Sequence, residues 1–573
     1  MPNFLETIFA QLKCADARVV LREIHGEQFV SVTGKELLEQ VQQVREFLRN
    51  SGVRPGERCA LLSPNSIRWV AFDLALMAQG VIVVPLYSRQ APGELAGMMK
   101  DCQPRFLLVS DAGLGESIAQ AWPGAPQRIL FDDVMKSSGV TISRDETPNP
   151  RQDLDIITII YTSGTSGEPK GVCLNTSNLN FMLERTTERL GQLMTQAPGT
   201  SPDRVFHYLP LNFAASWLLM LSCLMRETML TLSTDLNKLA DEIRLSSPNY
   251  FLNVPTLLER VRRGVEEALS KQAAPVRWLF RKTREAFQRQ NAGRFGVLDS
   301  MWLWLGRILI FIKIKQRFGR DLRTLICGSA PLAPETQQFF QMLGIPVLQA
   351  YGLTETTGIC TMDDPRVPAE PGYVGTPVPG IEMQVGENEE ILTRGPHVFP
   401  GYWNRAEESA RVLQGGWFHT GDQGESNGRG NWHIKGRVKN LLILNSGHKV
   451  APEPIEEQIA RLVPSAQQVV VVGNGRGYLC ALVTGTVETA VVQAALDAVN
   501  KDLPHYRQIR NFKAIETAFT ADSGLLTANG KLRRDAINAR YVGEINSMYD
   551  AKGQNTSQAL SAAEGHAVNR QHA

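Results

Sequence analysis

Residues 154–172 read Leu-Asp-Ile-Ile-Thr-Ile-Ile-Tyr-Thr-Ser-Gly-Thr-Ser-Gly-Glu-Pro-Lys-Gly-Val: an apolar run that ends in a loop of glycine, hydroxyl and lysine residues. The run 154–161 has the length and β-branched content of a buried strand. The loop packs three glycines, four Ser/Thr residues and one lysine into positions 161–172. Glycines let backbone N–H groups approach an anion, hydroxyls add donors and lysine adds charge. A Gly/Ser-rich stretch alone reads equally as a flexible loop. The preceding strand and the Pro169-Lys170-Gly171 ending favour a phosphate cradle instead. No Gly-Lys-Ser/Thr follows at the Walker spacing, so it is not a P-loop of that type.

Outward from this loop the chain alternates strands and helices. Lys35 to Asn50 has helical apolar spacing and ends at Asn50-Ser51-Gly52. Arg58–Leu62 reads as a strand, Arg68 to Gly80 as a helix and Val81–Leu86 as a strand. Residues 324–327 and 345–348 repeat the buried-strand pattern. This order predicts an α/β fold of parallel, helix-covered sheets. At 573 residues the chain exceeds the roughly 250–300 residues at which single cores stop growing, which implies at least two domains. After about residue 440 the elements shorten, as in Gln468–Gly473, and suggest a separate small α+β domain. From about Met548 the chain is rich in Ser, Ala, Gln and Asn without periodicity and reads as a disordered tail.

The net charge of +2 gives no global reason to expect nucleic acid. The eight cysteines are scattered without C-x-x-C spacing, which argues against a zinc site and a disulfide framework and suits a reducing, cytoplasmic setting. The N-terminus lacks a basic segment leading into an apolar one and does not read as a secretory signal. Val205 to Met225 is uncharged over 21 residues. Because His207, Pro210 and Asn212 interrupt it, it reads as a strand, a turn and a core helix, not a membrane span. Residues 260–323 carry 16 Lys/Arg against 5 Asp/Glu and include the apolar run Met301–Ile314. That segment reads as a helical insertion packed on the core. A peripheral membrane contact and a homodimer contact are the other uses of such a surface.

The loop Tyr161–Val172 resembles the signature loop of the adenylate-forming superfamily, which includes acyl-CoA synthetases, adenylation domains and luciferases. Five further motifs stand in that family's order: Cys327-Gly328-Ser329-Ala330-Pro331-Leu332, Ala350-Tyr351-Gly352-Leu353-Thr354-Glu355-Thr356, Gly416–Asp422, Ile434–Asn440 and Asn529–Arg534. The resemblance as a whole covers about residues 28–540.

The resemblance implies a large domain over 1–436 that includes a distorted barrel, a hinge at 437–441, a small mobile domain over 442–547 and a tail over 548–573. It implies ATP-dependent activation of a carboxylic acid to an acyl-adenylate, followed by thioester formation with coenzyme A. The nucleotide site it implies comprises Thr162, Ser163, Gly164, Thr165, Ser166, Gly167, Lys170, Gly328, Ser329, Ala330, Tyr351, Gly352, Thr354, Asp422, Arg437 and Lys531. Within it, Thr165 and Glu355 hold Mg2+, Tyr351 faces adenine and Thr354 donates to the α-phosphate. Asp422 binds ribose, with Arg437 reinforcing that corner, and Lys170, Thr354, Glu355 and Lys531 serve catalysis. Lys531, a point charge on a long stem, suits bridging a carboxylate and a phosphate.

The loop with Ser446, Gly447 and His448 would replace Lys531 at the site in the thiol half-reaction. Lys449–Glu456, Gly524–Thr527, Phe251–Val261 and the basic insertion resemble the long-chain fatty acyl-CoA synthetase branch. Phe213 and Trp217, with Leu218 and Met220, are candidates for the acyl pocket, and core packing accounts for them equally well. Three residues depart from the family pattern: Phe213 where a histidine is frequent, Thr176 where a histidine follows threonine, and Asn440 where the hinge usually carries aspartate. Other outcomes stay open: an acyl carrier protein as acceptor, closure of a β-hydroxy acid to a β-lactone, or a catalytically silent ligand-binding relative.

Overall fold

The computed structural model describes residues 3–136, 147–163, 169–195, 202–527 and 530–549. Two large sheets dominate. A nine-stranded sheet runs Thr376–Pro377, Thr361–Met362, Val347–Tyr351, Thr324–Cys327, Tyr250–Asn253, Asp203–His207, Thr228–Leu232, Val19–His25 and Gln28–Thr33. Its strands from Val347–Tyr351 to Val19–His25 are parallel, with antiparallel edges. A seven-stranded sheet runs Gly401–Tyr402, Pro169–Asn175, Ile156–Ser163, Ile82–Leu86, Arg58–Leu62, Phe106–Val109 and Gln127–Leu130.

Strand residues alternate between two cores because successive side chains leave opposite faces of a sheet. Cys59, Leu61 and Val83 enter the central core between the sheets, together with Leu21, Val205 and Leu230 from the other sheet. Ala60, Leu62 and Val84 enter an outer core. Ile24, Phe206, Phe251 and Leu325 enter a third. The result is helices, sheet, helices, sheet and helices in layers, and it explains why the strands are apolar without alternation.

The helices Ile67–Gln79 and Ala214–Leu224 lie in the middle layer and are buried nearly all round. The uncharged stretch Val205–Met225 is accordingly a strand end, a turn and an inner helix. Within that layer the Trp217 indole N–H donates to Asp73 Oδ2 at 2.8 Å. Burial pushes the Asp73 carboxyl up to about 7, and the Trp217 hydrogen bond opposes that rise. A carboxyl raised in the fold binds more protons there than in the unfolded chain. Its stabilising contribution therefore falls as pH rises from about 4 to about 7. Trp217→Phe is expected to destabilise by roughly 1–3 kcal/mol and to extend the pH-dependent loss above pH 7. Urea unfolding at pH 6 and 8 checks both, and equal loss at the two values refutes the second.

A smaller antiparallel sheet stands where the distorted barrel is expected. It is built from Glu382–Val385, Glu390–Arg394, Trp417–Ser426 and Leu413–Gln414, with Trp432–Arg437 paired to Trp417–Ser426. The chain after residue 440 has cores of its own. Gln468–Val472, Leu479–Thr484 and Ile509–Ile515 form a three-stranded sheet. The helices Glu453–Leu462 and Thr489–Lys501 pack on one face, and Phe519, Leu525, Ile537 and Met548 on the other.

Two details go beyond what the sequence pattern reports. The strand before the phosphate loop pairs in parallel with Ile82–Leu86, but on its other side it forms an antiparallel hairpin with Pro169–Asn175. The loop is therefore the turn of a hairpin. The tail does not begin at Met548: that residue is 3% exposed in the small domain's core, and the Tyr549 hydroxyl donates to the Val472 carbonyl at 3.2 Å. Composition does not report such a tertiary contact.

Candidate active site

The C-terminal ends of the central strands, the hairpin and the small domain converge. Hairpin register sets Thr162 opposite Lys170 and Ser163 opposite Pro169. Gly164, Thr165, Ser166 and Gly167 lie outside the described residues, as does Asn529. Lys170 forms an ion pair with Glu408, and its ammonium lies 5.3 Å from the Tyr402 ring centroid. Arg405 in turn contacts Glu408 and Asp101, and Asp101 accepts from the Tyr161 hydroxyl at 2.6 Å.

Gly328, Ser329 and Ala330 follow the strand Thr324–Cys327. Ser329 adopts a left-handed φ of 72°. A Cβ on Gly328 would stand 3.0 Å from the Ala350 carbonyl oxygen, so this turn lies against the end of the next strand. Gly352 has no room at all: a Cβ there would lie 2.5 Å from both the Gly358 oxygen and the Ile359 Cα. Both obstacles are backbone, so Gly352→Ala must displace the turn that carries Thr354 and Glu355. We expect the variant to fold with lowered stability and to lose at least tenfold in nucleotide affinity by calorimetry; unchanged affinity would contradict the role of this close approach.

Thr354 opens the short helix Thr354–Thr356. Glu355 accepts from the Tyr402 hydroxyl at 2.9 Å. Tyr351 does more than offer a ring, because its hydroxyl donates to Asp422 Oδ2 at 2.9 Å. Asp422 Oδ1 receives Arg437 Nε at 2.7 Å. Burial raises the Asp422 pKa, while Arg437, Tyr351 and Lys531 oppose the rise. Burial works against the Arg437 guanidinium, but the fields of Asp422, Tyr351 and Glu355 outweigh it, so its pKa rises.

Lys531 reaches this group from the small domain. Its side chain is exposed, yet the surrounding protein and then Arg437 hold its pKa below the usual lysine value, with Asp422 and Glu355 pulling the other way. Its backbone closes a turn, Thr527 N to Lys531 O at 2.8 Å and Lys531 N to Thr527 Oγ1 at 3.1 Å. Lys439 is also exposed, and it too is pushed down, to about 8, by surrounding protein and by repulsion from Arg437 and Lys170. Lys531 and Arg437 thus bring positive field to Glu355 and Asp422, and Lys439 lies where it feels both Arg437 and Lys170. Cations held together against mutual repulsion suit a polyanionic ligand.

Three of these residues were not picked out from sequence. Tyr402 sits in Pro400-Gly401-Tyr402-Trp403, whose glycine and paired aromatics were the available signal. Glu408 carried none, and Lys439 stood inside the motif Ile434–Asn440 without a role of its own. Phe213 stands at the start of the helix Ala214–Leu224, its ring centroid 6.0 Å from that of Tyr87. Trp217 points into the core. Ser446, Gly447 and His448 form the exposed tip of the hairpin Leu442–Ile443/Lys449–Val450. There Ser446 Oγ meets His448 Nδ1 at 2.9 Å and His448 stacks on Tyr506 at 4.2 Å. Asn440, between the domains, donates to Glu453 Oε1 at 2.6 Å.

Among the described residues no three His, Cys, Asp or Glu side chains gather as a metal cage. A lone Glu355 carboxylate beside the cations still fits magnesium, which binds oxygen through one or two carboxylates plus water and substrate phosphates.

This fold and site define a nucleotide-binding α/β enzyme. The chain belongs to the AMP-binding enzyme family, whose model matches residues 9–403, with the family's C-terminal domain matching residues 439–553. It is 25% identical over 590 residues to the long-chain-fatty-acid–CoA ligase FadD15 of Mycobacterium bovis, covering 93% of this chain and 94% of that protein. It is 26% identical over 629 residues to the chloroplastic long-chain-fatty-acid–[acyl-carrier-protein] ligase AEE15 of Arabidopsis thaliana, covering 93% and 84%. Its fold matches the O-succinylbenzoate coenzyme A synthetase MenE of Bacillus subtilis solved with ATP and magnesium, with a TM-score of 0.71, 21% identity and coverage of 93% and 99%.

Proposed function

We propose that this AMP-forming acid–thiol ligase activates a medium- or long-chain fatty acid with ATP and transfers the acyl group to coenzyme A. The observation that carries the reading is the Asp422 corner, held by Arg437 and Tyr351, which Lys531 of the small domain reaches together with Glu355. Acid activation brings a carboxylate to the α-phosphate, so two anions must meet, and cations that face both lower the barrier.

In this reading Asp422 accepts from the ribose hydroxyls with its remaining lone pairs, fixed by Tyr351 and Arg437. Thr354 donates to the α-phosphate, and Gly328–Ala330 lie beside adenine. Lys170 and the loop 164–167 hold the outer phosphates. Glu355 and Thr165 would hold Mg2+, which supplies charge neutralisation at the phosphates. Lys531 bridges the attacking carboxylate and the α-phosphate as the bond to pyrophosphate breaks. The small domain then turns about residues 437–441, and the Ser446–His448 tip takes the place of Lys531 for thiol attack. Asn440 tolerates the backbone angles such a pivot needs. Phe213 stays a candidate for the acyl pocket. The long-chain preference rests on the relatives named above. The carrier-protein ligase among the relatives supports a carrier thiol as second acceptor.

Acid-dependent ATP–pyrophosphate exchange across fatty acids graded by chain length tests the activation, and mass spectrometry of products with coenzyme A tests the acceptor. Exchange that does not depend on any fatty acid would overturn the substrate reading. Acyl-adenylate that builds up without thioester would overturn the coenzyme A reading.

A further inference from the structure

The helices Ala274–Asn291 and Val297–Gly306 form a hairpin on the outer face of the nine-stranded sheet. Its inner side is tightly built. Thr283 Oγ1 donates to the Trp302 carbonyl at 3.1 Å, and a Cβ on Gly306 would fall 2.5 Å from Thr283 Oγ1. Trp278 and Trp302 meet edge to face at 5.1 Å, and Arg289 grips Asp299 through two donors. Ile310, Phe311 and Ile314 continue that inner side into the core.

The outer side is bare. Val297 is 91% exposed, Leu298 67%, Met301 42%, Trp304 59%, Leu309 54% and Ile312 46%. Positions 297, 301 and 304 recur at helical spacing along Val297–Gly306 with Leu298 beside them, and Ile308, Leu309 and Ile312 continue the exposed apolar run through the π-helical turn Arg307–Phe311. A contiguous apolar stripe on a rigid support is the mark of an interaction surface. Its charge says what covers it. Residues 292–320 contain six Lys/Arg and one acid, Asp299, and that acid is turned inward onto Arg289. Arg294, Arg307, Lys313 and Arg317 are exposed around the stripe, and among the described residues no carboxylate pairs with them. No helix of the described residues is long and apolar enough to cross a bilayer.

We propose that this hairpin docks the protein in the plane of an anionic lipid surface, with Val297, Leu298, Trp304 and Leu309 entering the acyl boundary and the flanking cations meeting lipid headgroups. Apolar burial plus attraction to anionic headgroups is what holds such helices at an interface.

Flotation of the full chain with phosphatidylcholine vesicles, with and without phosphatidylglycerol, at low and high salt tests this. The wild-type chain should float with anionic vesicles and be released by salt. R307Q/K313Q should lose roughly thirtyfold in affinity for anionic vesicles, at about one kcal/mol per cation, with a flatter salt dependence. W304S/L309S should lose about tenfold or more. Both variants should keep wild-type pyrophosphate exchange with a soluble acid, which certifies their fold. The proposal fails if wild-type protein stays unbound by anionic vesicles, or if either double variant floats as well as wild type. It fails equally if W304S/L309S turns a dimer into a monomer in sedimentation velocity while flotation is unchanged, which would assign the face to a second copy of the chain.

Discussion

Lys531→Ala is expected to lower acid-dependent pyrophosphate exchange by about 10²–10³-fold, the usual cost of removing one preorganised charge or donor from a developing anion, while ATP binding measured by calorimetry changes less than threefold. Lys531 comes from the small domain, and its ammonium feels Asp422 and Glu355 of the large one and Arg437 at the hinge. The ribose corner is complete without it, because Tyr351 and Arg437 already hold Asp422. If the proposed rotation of the small domain serves the second half-reaction, thioester formation from a preformed acyl-adenylate should survive. Near-normal exchange in the variant would remove Lys531 from the chemistry. Loss of ATP binding as well would make it a binding residue.

The other large effect concerns Asp422. Asp422→Ala leaves the Tyr351 hydroxyl without its acceptor and Arg437 without its ion partner. Losing hydrogen bonds to a buried charge costs roughly 2–4 kcal/mol, and thermal unfolding should show it. ATP affinity should fall by at least tenfold, because the ribose loses its acceptor and the displaced guanidinium no longer frames the site. Asp422→Asn separates the two roles. It keeps the shape and one acceptor, so it should recover much of the stability and little of the affinity. A variant that recovered both would show that the charge on Asp422 does no work beyond packing.

The candidate site residues stand out in sequence because the chemistry proposed for them is local: glycine where backbone must approach, as at Gly352, or a charged residue closing a short motif, as at Asp422 and Lys531. What depends on distant partners does not. An apolar run such as 156–160 shows that a strand is buried but not which neighbours it takes, and Leu154 just before it is exposed. The run's hairpin with Pro169–Asn175 appears only in three dimensions. Phe213 and Trp217 look alike as pocket candidates. Trp217 donates to Asp73 inside the core, a bond between residues 144 positions apart that no periodicity reports. Glu408 and Lys439 are ordinary surface residues in sequence and gain meaning only beside Lys170 and Arg437.

Met548 and Tyr549 close the apolar face against which Leu526 and Leu532 rest. Those two residues form an isolated bridge across the turn that presents Lys531. The aim of that ammonium is therefore steadied from the far end of the chain. Shortening the protein to Ser547 would uncover this face, and it would slow the first half-reaction without touching any group that meets nucleotide or acid.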